Sequence, residues 1–185
     1  SNRARLIRKW GGEAGFEAQK RRHRLKERGL EVGIAKFDLD RTASRTVQSH
    51  RLVQWLTRTR GLEATEAAYA ELSQRHFIQG HKLNDNAMLA DVALRAAGVP
   101  VATTLAFLED AIAPPTEGDV FRAYHACQNL GINGIPTFVI NGGRVISGAA
   151  AAAEFVDVLQ DIHDKGDPLV DPIFADLLGL DPRHL

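Results

Sequence analysis

The stretch that decides the fold is residues 131–149, which read GINGIPTFVINGGRVISGA. Within it, residues 137–140 and 144–147 are short apolar runs rich in β-branched side chains, and residues 141–143 between them read Asn-Gly-Gly. β-branched residues favour strands, and an Asn-Gly pair adopts the positive φ angles of a tight hairpin turn. We therefore predict an antiparallel hairpin whose first strand begins directly after Pro136.

Outside this hairpin, the spacing of apolar residues predicts helices, and Gly and Pro mark their ends. The predicted helices are 3–10, 14–30, 46–60, 63–78, 85–97, 101–111 and 119–130 before the hairpin, and 151–163 after it. Residues 34–45 are expected to be extended or looped, and the tail holds one short helical candidate, 173–178. We therefore expect a mainly helical domain over 1–130, a hairpin-plus-helix unit over 131–165 and a tail over 166–185.

Composition limits the class of protein. Of the 185 residues, 44% are hydrophobic, which suffices for a packed core. No apolar run approaches the roughly 18 residues of a membrane-spanning helix, so we expect no membrane partner. The first residues are basic and lack an apolar block, so we expect no secretory leader. Cys127 is the only cysteine, which excludes an intrachain disulfide or a CxxC pair within this sequence and favours a reducing, cytoplasmic location.

Charge is unevenly distributed although the net charge is zero. The first 60 residues hold 16 Lys and Arg against 6 Asp and Glu. A basic segment of this kind can bind nucleic acid, but this one lacks interleaved aromatic residues and any nucleic-acid-binding motif. We therefore expect its basic face to pair with acidic surface elsewhere, and we expect no nucleic-acid partner.

Four stretches carry a family resemblance. The pattern Gly-Ile-Asn-Gly-Ile-Pro-Thr-Phe-Val-Ile, then a hairpin, Ser-Gly-Ala at 147–149 and a helix, resembles the C-terminal half of a thioredoxin fold. Three upstream stretches narrow the resemblance to DsbA-like thiol–disulfide oxidoreductases of the FrnE type. These are Arg-Lys-Trp-Gly at 8–11, Gly-Leu-Glu-Val-Gly-Ile at 29–34 and Thr-Val-Gln-Ser-His-Arg-Leu at 46–52. The resemblance covers roughly residues 1–163.

This resemblance implies an α/β, thioredoxin-like fold with a large all-helical insertion. In such folds the peptide bond before the strand proline, here Ile135–Pro136, is cis and turns the backbone of Ile135 outward. An extended peptide or glutathione can then pair with that backbone as an added strand. The implied substrate-binding residues are Ile135, Pro136, Thr137 and His50. The alternatives are a plain edge-strand proline at Pro136 and a capping or core-edge histidine at His50.

The implied chemistry needs a cysteine pair that this sequence lacks. One thiolate attacks the substrate disulfide and a second thiol resolves the mixed disulfide. In the family, both belong to a CxxC in an N-terminal βαβ unit, and no such unit occurs in these residues. The expectation is that the chain is a fragment; a natural truncation, or a sheet completed by another chain as in a homodimer, are the alternatives. We assign no catalytic residue to the chain as written.

Three functions remain open at this point. The first is a thiol–disulfide oxidoreductase or disulfide isomerase, which acts on protein or peptide thiols and disulfides or on glutathione and needs no resident cofactor. The second is a glutathione-dependent isomerase or transferase of the kappa or 2-hydroxychromene-2-carboxylate isomerase kind. The third is a non-catalytic peptide-binding remnant. The Ser-Gly-Ala segment at 147–149 favours the first.

Other side chains with reactive or ligating groups have simpler interpretations. Cys127 falls on a predicted helix and is expected to be a small buried apolar side chain rather than a nucleophile. His76 and His81 flank a loop without a third ligand in register. We expect both histidines to lie at the surface, and we expect no metal site.

Overall fold

Helices account for most of the chain in the computed structural model, which describes residues 2–34, 36, 41–170, 174 and 175. The chain forms two units, Ser1–Glu117 and Gly118–Leu185. The boundary between the units lies just before the predicted helix 119–130, which is the last predicted helix before the hairpin. The first unit is helical, and the second contains the hairpin.

The helices of the first unit match the predicted ones in number and order except near residue 24. They are α1 (Asn2–Lys9), α2 (Glu13–His23), α3 (Leu25–Glu31), α4 (Val47–Ser73), a π-helix (Gln74–Ile78), α5 (Asn86–Ala97) and α6 (Val101–Glu109).

The segment predicted as one helix over 14–30 is two helices, α2 and α3. Between them, Arg24 adopts a left-handed conformation with φ 46° and ψ 39°. Phe16 is the buried residue of α2, so packing against the rest of the protein contributes little to the stability of a longer helix. The run of like-charged side chains near the break disfavours a continuous helix further. The prediction of one continuous helix was wrong at Arg24.

Gly61 interrupts α4, as the sequence predicts. Its backbone has φ 82° and ψ −175°, which is a conformation that only glycine adopts readily. The chain is helical on both sides, so the two predicted helices follow one another without a connecting loop. The second of them ends in the π-helix Gln74–Ile78.

The core of the first unit lies between α4, α5 and α6. Trp55 of α4 stacks on Phe107 of α6 with ring centroids 4.5 Å apart. Asp85 caps α5 by accepting hydrogen bonds from the amides of residues 87 and 88, and Gly98 ends the helix in a left-handed conformation. Burial of each large aliphatic side chain in such a core contributes about 1.5–3 kcal/mol. The fully buried members include Leu52, Leu56, Leu89 and Val92.

The second unit contains β1 (Thr137–Ile140), β2 (Arg144–Ser147), α8 (Ala152–Lys165) and all but the first residue of α7 (Glu117–Asn129). The strands pair antiparallel, with Phe138 opposite Ile146 and Ile140 opposite Arg144. Their bounds are those predicted. Asn141 and Gly142 have φ of 46° and 72°, which confirms the hairpin turn.

One face of the hairpin packs on α8. Phe138 of β1 meets Phe155 edge to face, with ring centroids 4.9 Å apart. Ile146 of β2 is 8% exposed, whereas Val145 beside it is 59% exposed on the other face. Along β2 this alternation is the period-two pattern of a strand with one covered face, whereas Phe138 of β1 stays 40% exposed.

Two predictions fall on residues outside the described part of the chain. The segment 34–45, expected to be extended or looped, includes residues 35 and 37–40, which lie outside the described residues, and the tail helix 173–178 includes only two described residues, Phe174 and Ala175. Among the described residues, no helix has the combined length and apolar character needed to span a bilayer.

Candidate functional site

The loop between α7 and β1 begins with a glycine turn. Gly131 has φ 75° and donates its N–H to the carbonyl of Gln128. Ile132 donates to the carbonyl of Cys127 over 2.9 Å. This pair of bonds is the Schellman arrangement that ends a helix and turns the chain back. The turn therefore ends α7 ahead of the residues that lead into β1.

Residues 132–136 form a short loop that presents Ile135 to solvent. The Oγ1 of Thr137 donates to the carbonyl of Gly134 over 2.8 Å, and the Nδ2 of Asn133 donates to the carbonyl of Gly131. These bonds hold the loop on both sides of Ile135, whose side chain is 96% exposed. The peptide bond between Ile135 and Pro136 is cis. Three of the predicted site residues, Ile135, Pro136 and Thr137, thus lie together at the start of β1.

The outer edge of β1 is open within the described part of the chain. The carbonyl of Pro136 accepts a bond from the N–H of Gly148 over 2.9 Å, so residues 136, 138 and 140 direct their backbone groups toward β2. The residues that alternate with them, Thr137 and Val139, direct their N–H and C=O groups to the opposite edge. No described residue bonds to those outer groups. The site therefore offers backbone donors and acceptors beside an exposed Ile135.

An apolar groove of about 620 Å³ runs along this open edge. Cys127 and Ile132 from the α7 end form one side, and Val139 and Ile140 of β1 form another. Among the described residues, its lining includes no charged side chain. The groove therefore suits apolar side chains of a segment that lies alongside β1.

Cys127 is half-buried in the lining of that groove. It is the only cysteine of the chain, so it has no intrachain thiol partner. A half-buried position on a helix fits the expected apolar role better than that of an exposed nucleophile.

The fourth predicted site residue, His50, belongs to the first unit. It lies in the first turn of α4, where its N–H donates to the carbonyl of Thr46. It lines a cavity of about 150 Å³ together with Ser49, Tyr69 and His76. Desolvation lowers the pKa of His50 below its ordinary value of 6.5, although the residue as a whole is exposed. Desolvation and the nearby Glu66 raise the pKa of Tyr69.

His76 is buried, which corrects the expectation that it lies at the surface. Its Nε2 accepts a hydrogen bond from Nε of Arg41 over 3.0 Å, and its Nδ1 lies 2.8 Å from the carbonyl oxygen of His81. An arginine can only donate, so Nε2 carries no proton and Nδ1–H donates to the carbonyl. His76 is thus a neutral structural link between residue 41 and the loop after the π-helix. His81 itself is exposed, as expected.

Arg51, in the same sequence stretch as His50, has a role that the sequence reading missed. Its guanidinium is almost completely buried and donates to the side chain of Gln48 and to backbone carbonyls at the end of α6 and in the connection to α7. The carbonyls belong to residues 107, 108, 110, 113 and 115. A buried arginine that faces only carbonyls satisfies its five donors without a carboxylate. The Arg-Leu pair that follows His50 therefore stabilises the fold.

No group of three or more His, Cys, Asp or Glu side chains that could hold a metal ion occurs among the described residues.

A helical unit followed by a β-β-α unit, with a cis proline at the start of the first strand, defines a thioredoxin-like protein with a helical insertion. The chain belongs to the DSBA-like thioredoxin domain family, whose sequence profile matches residues 17–160. The family and the fold class expected from the sequence are thus confirmed, and the family is of the thiol–disulfide oxidoreductase type. Comparison with curated proteins gave no match.

Proposed function

We propose that this chain is the substrate-binding part of a thiol–disulfide oxidoreductase, and that an extended segment of substrate pairs with the open edge of β1 beside Ile135. The observation that carries the proposal is the 96% exposure of Ile135 next to a strand whose outer backbone groups are unpaired in the described chain. Single exposed apolar side chains are common on protein surfaces, so it is the combination with unpaired strand backbone and an apolar groove that supports a contact surface here.

Strand addition accounts for both features of the site. Backbone hydrogen bonds to an edge strand supply affinity with little dependence on sequence, and neighbouring apolar surface selects the side chains. A substrate family of disulfide-containing proteins differs widely in sequence, so recognition through backbone suits it. Thr137 and Val139 would provide the hydrogen bonds, and Ile135 would provide the apolar contact.

The redox step is assigned to a cysteine pair outside these 185 residues, on a further segment or on another chain. In that step a thiolate attacks one sulfur of the substrate disulfide, forms a mixed disulfide and releases the other sulfur as a thiolate. The second cysteine then attacks the mixed disulfide, so the enzyme pair becomes oxidised as the substrate becomes reduced. The same steps run in reverse for substrate oxidation.

An NMR titration tests the binding role without the redox pair. The probes are glutathione and a short unstructured peptide with one S-methylated cysteine, and the readout is the amide shift of residues 135, 137 and 139. The proposal expects shifts that saturate at these amides. It also expects Ile135→Asp to weaken binding roughly tenfold, because an added strand would have to desolvate the new charge.

The matched control is Val145→Asp, which places the same charge on an exposed residue of β2. It is expected to change affinity by less than about twofold. Equal effects at both positions, or shifts confined to other parts of the chain, would overturn the proposal. Binding of glutathione without the peptide would favour the glutathione-dependent isomerase or transferase instead.

A second copy of the chain is the alternative occupant of the same edge. Two β1 strands related by a two-fold axis would extend the hairpins into one four-stranded sheet, which is the way open edges commonly associate. Light scattering across a concentration series distinguishes this case, because a mass that doubles with concentration and reverts in Ile135→Asp would assign the edge to a homodimer.

A further inference from the structure

The chain reverses direction where α8 ends. Gly166 has φ 62° and ψ 32°, and its N–H bonds to the carbonyl of His163. The N–H of Asp167 bonds to the carbonyl of Ile162 over 3.2 Å. This second Schellman arrangement sends the following residues back toward the hairpin instead of away from it.

Arg144 of β2 binds Asp167, which is the first residue after the turn at Gly166. Its Nη2 lies 3.0 Å from Oδ2 of Asp161 on α8 and 2.5 Å from Oδ2 of Asp167. The three side chains are only partly exposed, between 28% and 42%. One guanidinium thus ties β2 to both the helix and the residue that starts the tail.

Asn141 in the hairpin turn holds the next residues. Its Nδ2 donates to the carbonyl of Pro168 over 3.1 Å, and its Oδ1 accepts from the N–H of Val170 over 3.0 Å. A carbonyl and an N–H two residues apart are the groups that one side of a strand presents to a neighbour. The side-chain amide of Asn141 therefore pairs with the tail as a backbone peptide would, and reversing the amide would break both bonds.

The tail then reaches the groove beside β1. Val170 and Phe174 belong to the lining of this groove together with Cys127 and the β1 residues. Phe174 is half-buried, and Ala175 next to it is 4% exposed. Val170 and Phe174 thus form part of the wall of the groove that an added strand would use, and Val170 stays 50% exposed.

We propose that residues 167–170 together with Phe174 and Ala175 form a strap, clipped by Asn141 and Arg144, that covers the groove at the open edge of β1 and moves aside when a strand pairs there. The existence of the strap does not depend on the function proposed above. Its role as a gate for substrate rests on that function.

Reaction of Cys127 with N-ethylmaleimide tests the strap, because this is the only thiol and it lines the covered groove. Asn141→Gly is the first variant, since glycine keeps the left-handed turn while both clip bonds are lost. The expected result is a roughly tenfold faster reaction, as local opening becomes easier when its hydrogen bonds are removed. A rate within about twofold of the parent rate would overturn the strap.

Two further variants keep the test valid if the turn itself is disturbed. Asp167→Asn weakens the Arg144 contact without touching the turn and should also speed the reaction. Asp157→Asn makes the same charge-removing change at an exposed residue of α8 and should leave the rate unchanged. Equal acceleration in Asp157→Asn and Asp167→Asn would show general loosening and would overturn the strap.

Peptide titration of Asn141→Gly separates the two proposals. Faster labelling together with tighter peptide binding supports the strap as a gate. Faster labelling with unchanged peptide affinity supports the strap and overturns its gating role. Unchanged labelling overturns the strap whatever the peptide does, and the effect of Ile135→Asp then decides the binding function by itself.

Discussion

Nε of Arg51 donates a hydrogen bond over 2.9 Å to the backbone oxygen of Pro115, which lies 64 residues further along the chain. The same guanidinium bonds to the carbonyl of Leu108 at the end of α6 and to that of Asp110 just beyond it. Carbonyls at a helix C-terminus carry partial negative charge, so they stabilise a buried cation. The connection from α6 to α7 is therefore organised around one side chain.

Replacing Arg51 by Lys is expected to destabilise the first unit by about 3 kcal/mol, because a lysine has three donors and leaves buried carbonyls unpaired. Urea unfolding followed by the fluorescence of Trp55 measures the change. Arg60→Lys is the control: Arg60 is exposed on the same helix, and its change is expected to stay within about 0.5 kcal/mol. Similar losses in both variants would contradict this role of Arg51.

Gly61→Ala is expected to cost about 1–3 kcal/mol through backbone strain alone. A Cβ at this position would meet nothing within 4 Å, so no steric clash contributes. The cost comes from forcing a residue with a side chain into φ 82° and ψ −175°. Thermal unfolding compares this variant with Gly118→Ala, where the glycine lies in α7 and alanine favours the helix. A neutral Gly61→Ala would show that α4 straightens instead.

Local sequence signals account for most elements of this fold. The hairpin bounds, the break at Gly61 and the end of α5 at Gly98 each follow from one residue whose backbone preference is strong. The break at Arg24 was missed because arginine has no such preference, and the left-handed conformation there reflects weak packing of α2. Sequence patterns reveal residues with strong local backbone preferences. They do not reveal where a helix breaks because little of it packs against the rest of the protein.

The candidate site was predictable only in part. Ile135, Pro136 and Thr137 are adjacent in sequence, so a local pattern locates them. The roles of Arg51 and Asn141 depend on partners 64 and 27 to 29 residues away, and no periodicity encodes such pairs. The burial of His76 likewise depends on Arg41, which lies 35 residues earlier.

Ile146→Ala is expected to cost about 2–4 kcal/mol in the second unit, because Ile146 is buried on the hairpin face that packs on α8. Val145→Ala changes the next residue on the exposed face and is expected to cost less than about 0.5 kcal/mol. Hydrogen exchange of the Phe138 and Ile140 amides, which point toward β2, measures both. A larger loss from Val145→Ala would mean that the other face is the covered one.

Stability is expected to fall when the pH drops below about 6.5, in part through His50. The pKa of His50 is lowered in the folded protein, so the unfolded chain binds more protons in this range. The stability that neutral His50 contributes is fully present above the pKa of this histidine in the unfolded chain. It is lost as the pH falls through the lower pKa of His50 in the folded protein. Urea unfolding at about pH 7.5 and pH 5 should show a smaller difference in His50→Asn than in the parent protein. An NMR titration midpoint above 6.5 for His50 would contradict the prediction.

Asp161 should make the second unit sensitive to acid at lower pH. Hydrogen bonds from Lys165 and Arg144 lower the pKa of its carboxyl below 3.8, and burial opposes this shift. A carboxyl with a lowered pKa contributes stability above the unfolded pKa, and that contribution disappears as the pH falls through the folded value. The variant Asp161→Asn should therefore lose less stability than the parent protein over this acid range. Unfolding followed by circular dichroism measures this loss in both proteins. Asp157 lies on the same helix but does not contact Arg144, so Asp157→Asn should keep the acid sensitivity of the parent protein. An equal reduction of acid sensitivity in both variants would rule out the pairing of Asp161 with Arg144 as the cause of that sensitivity.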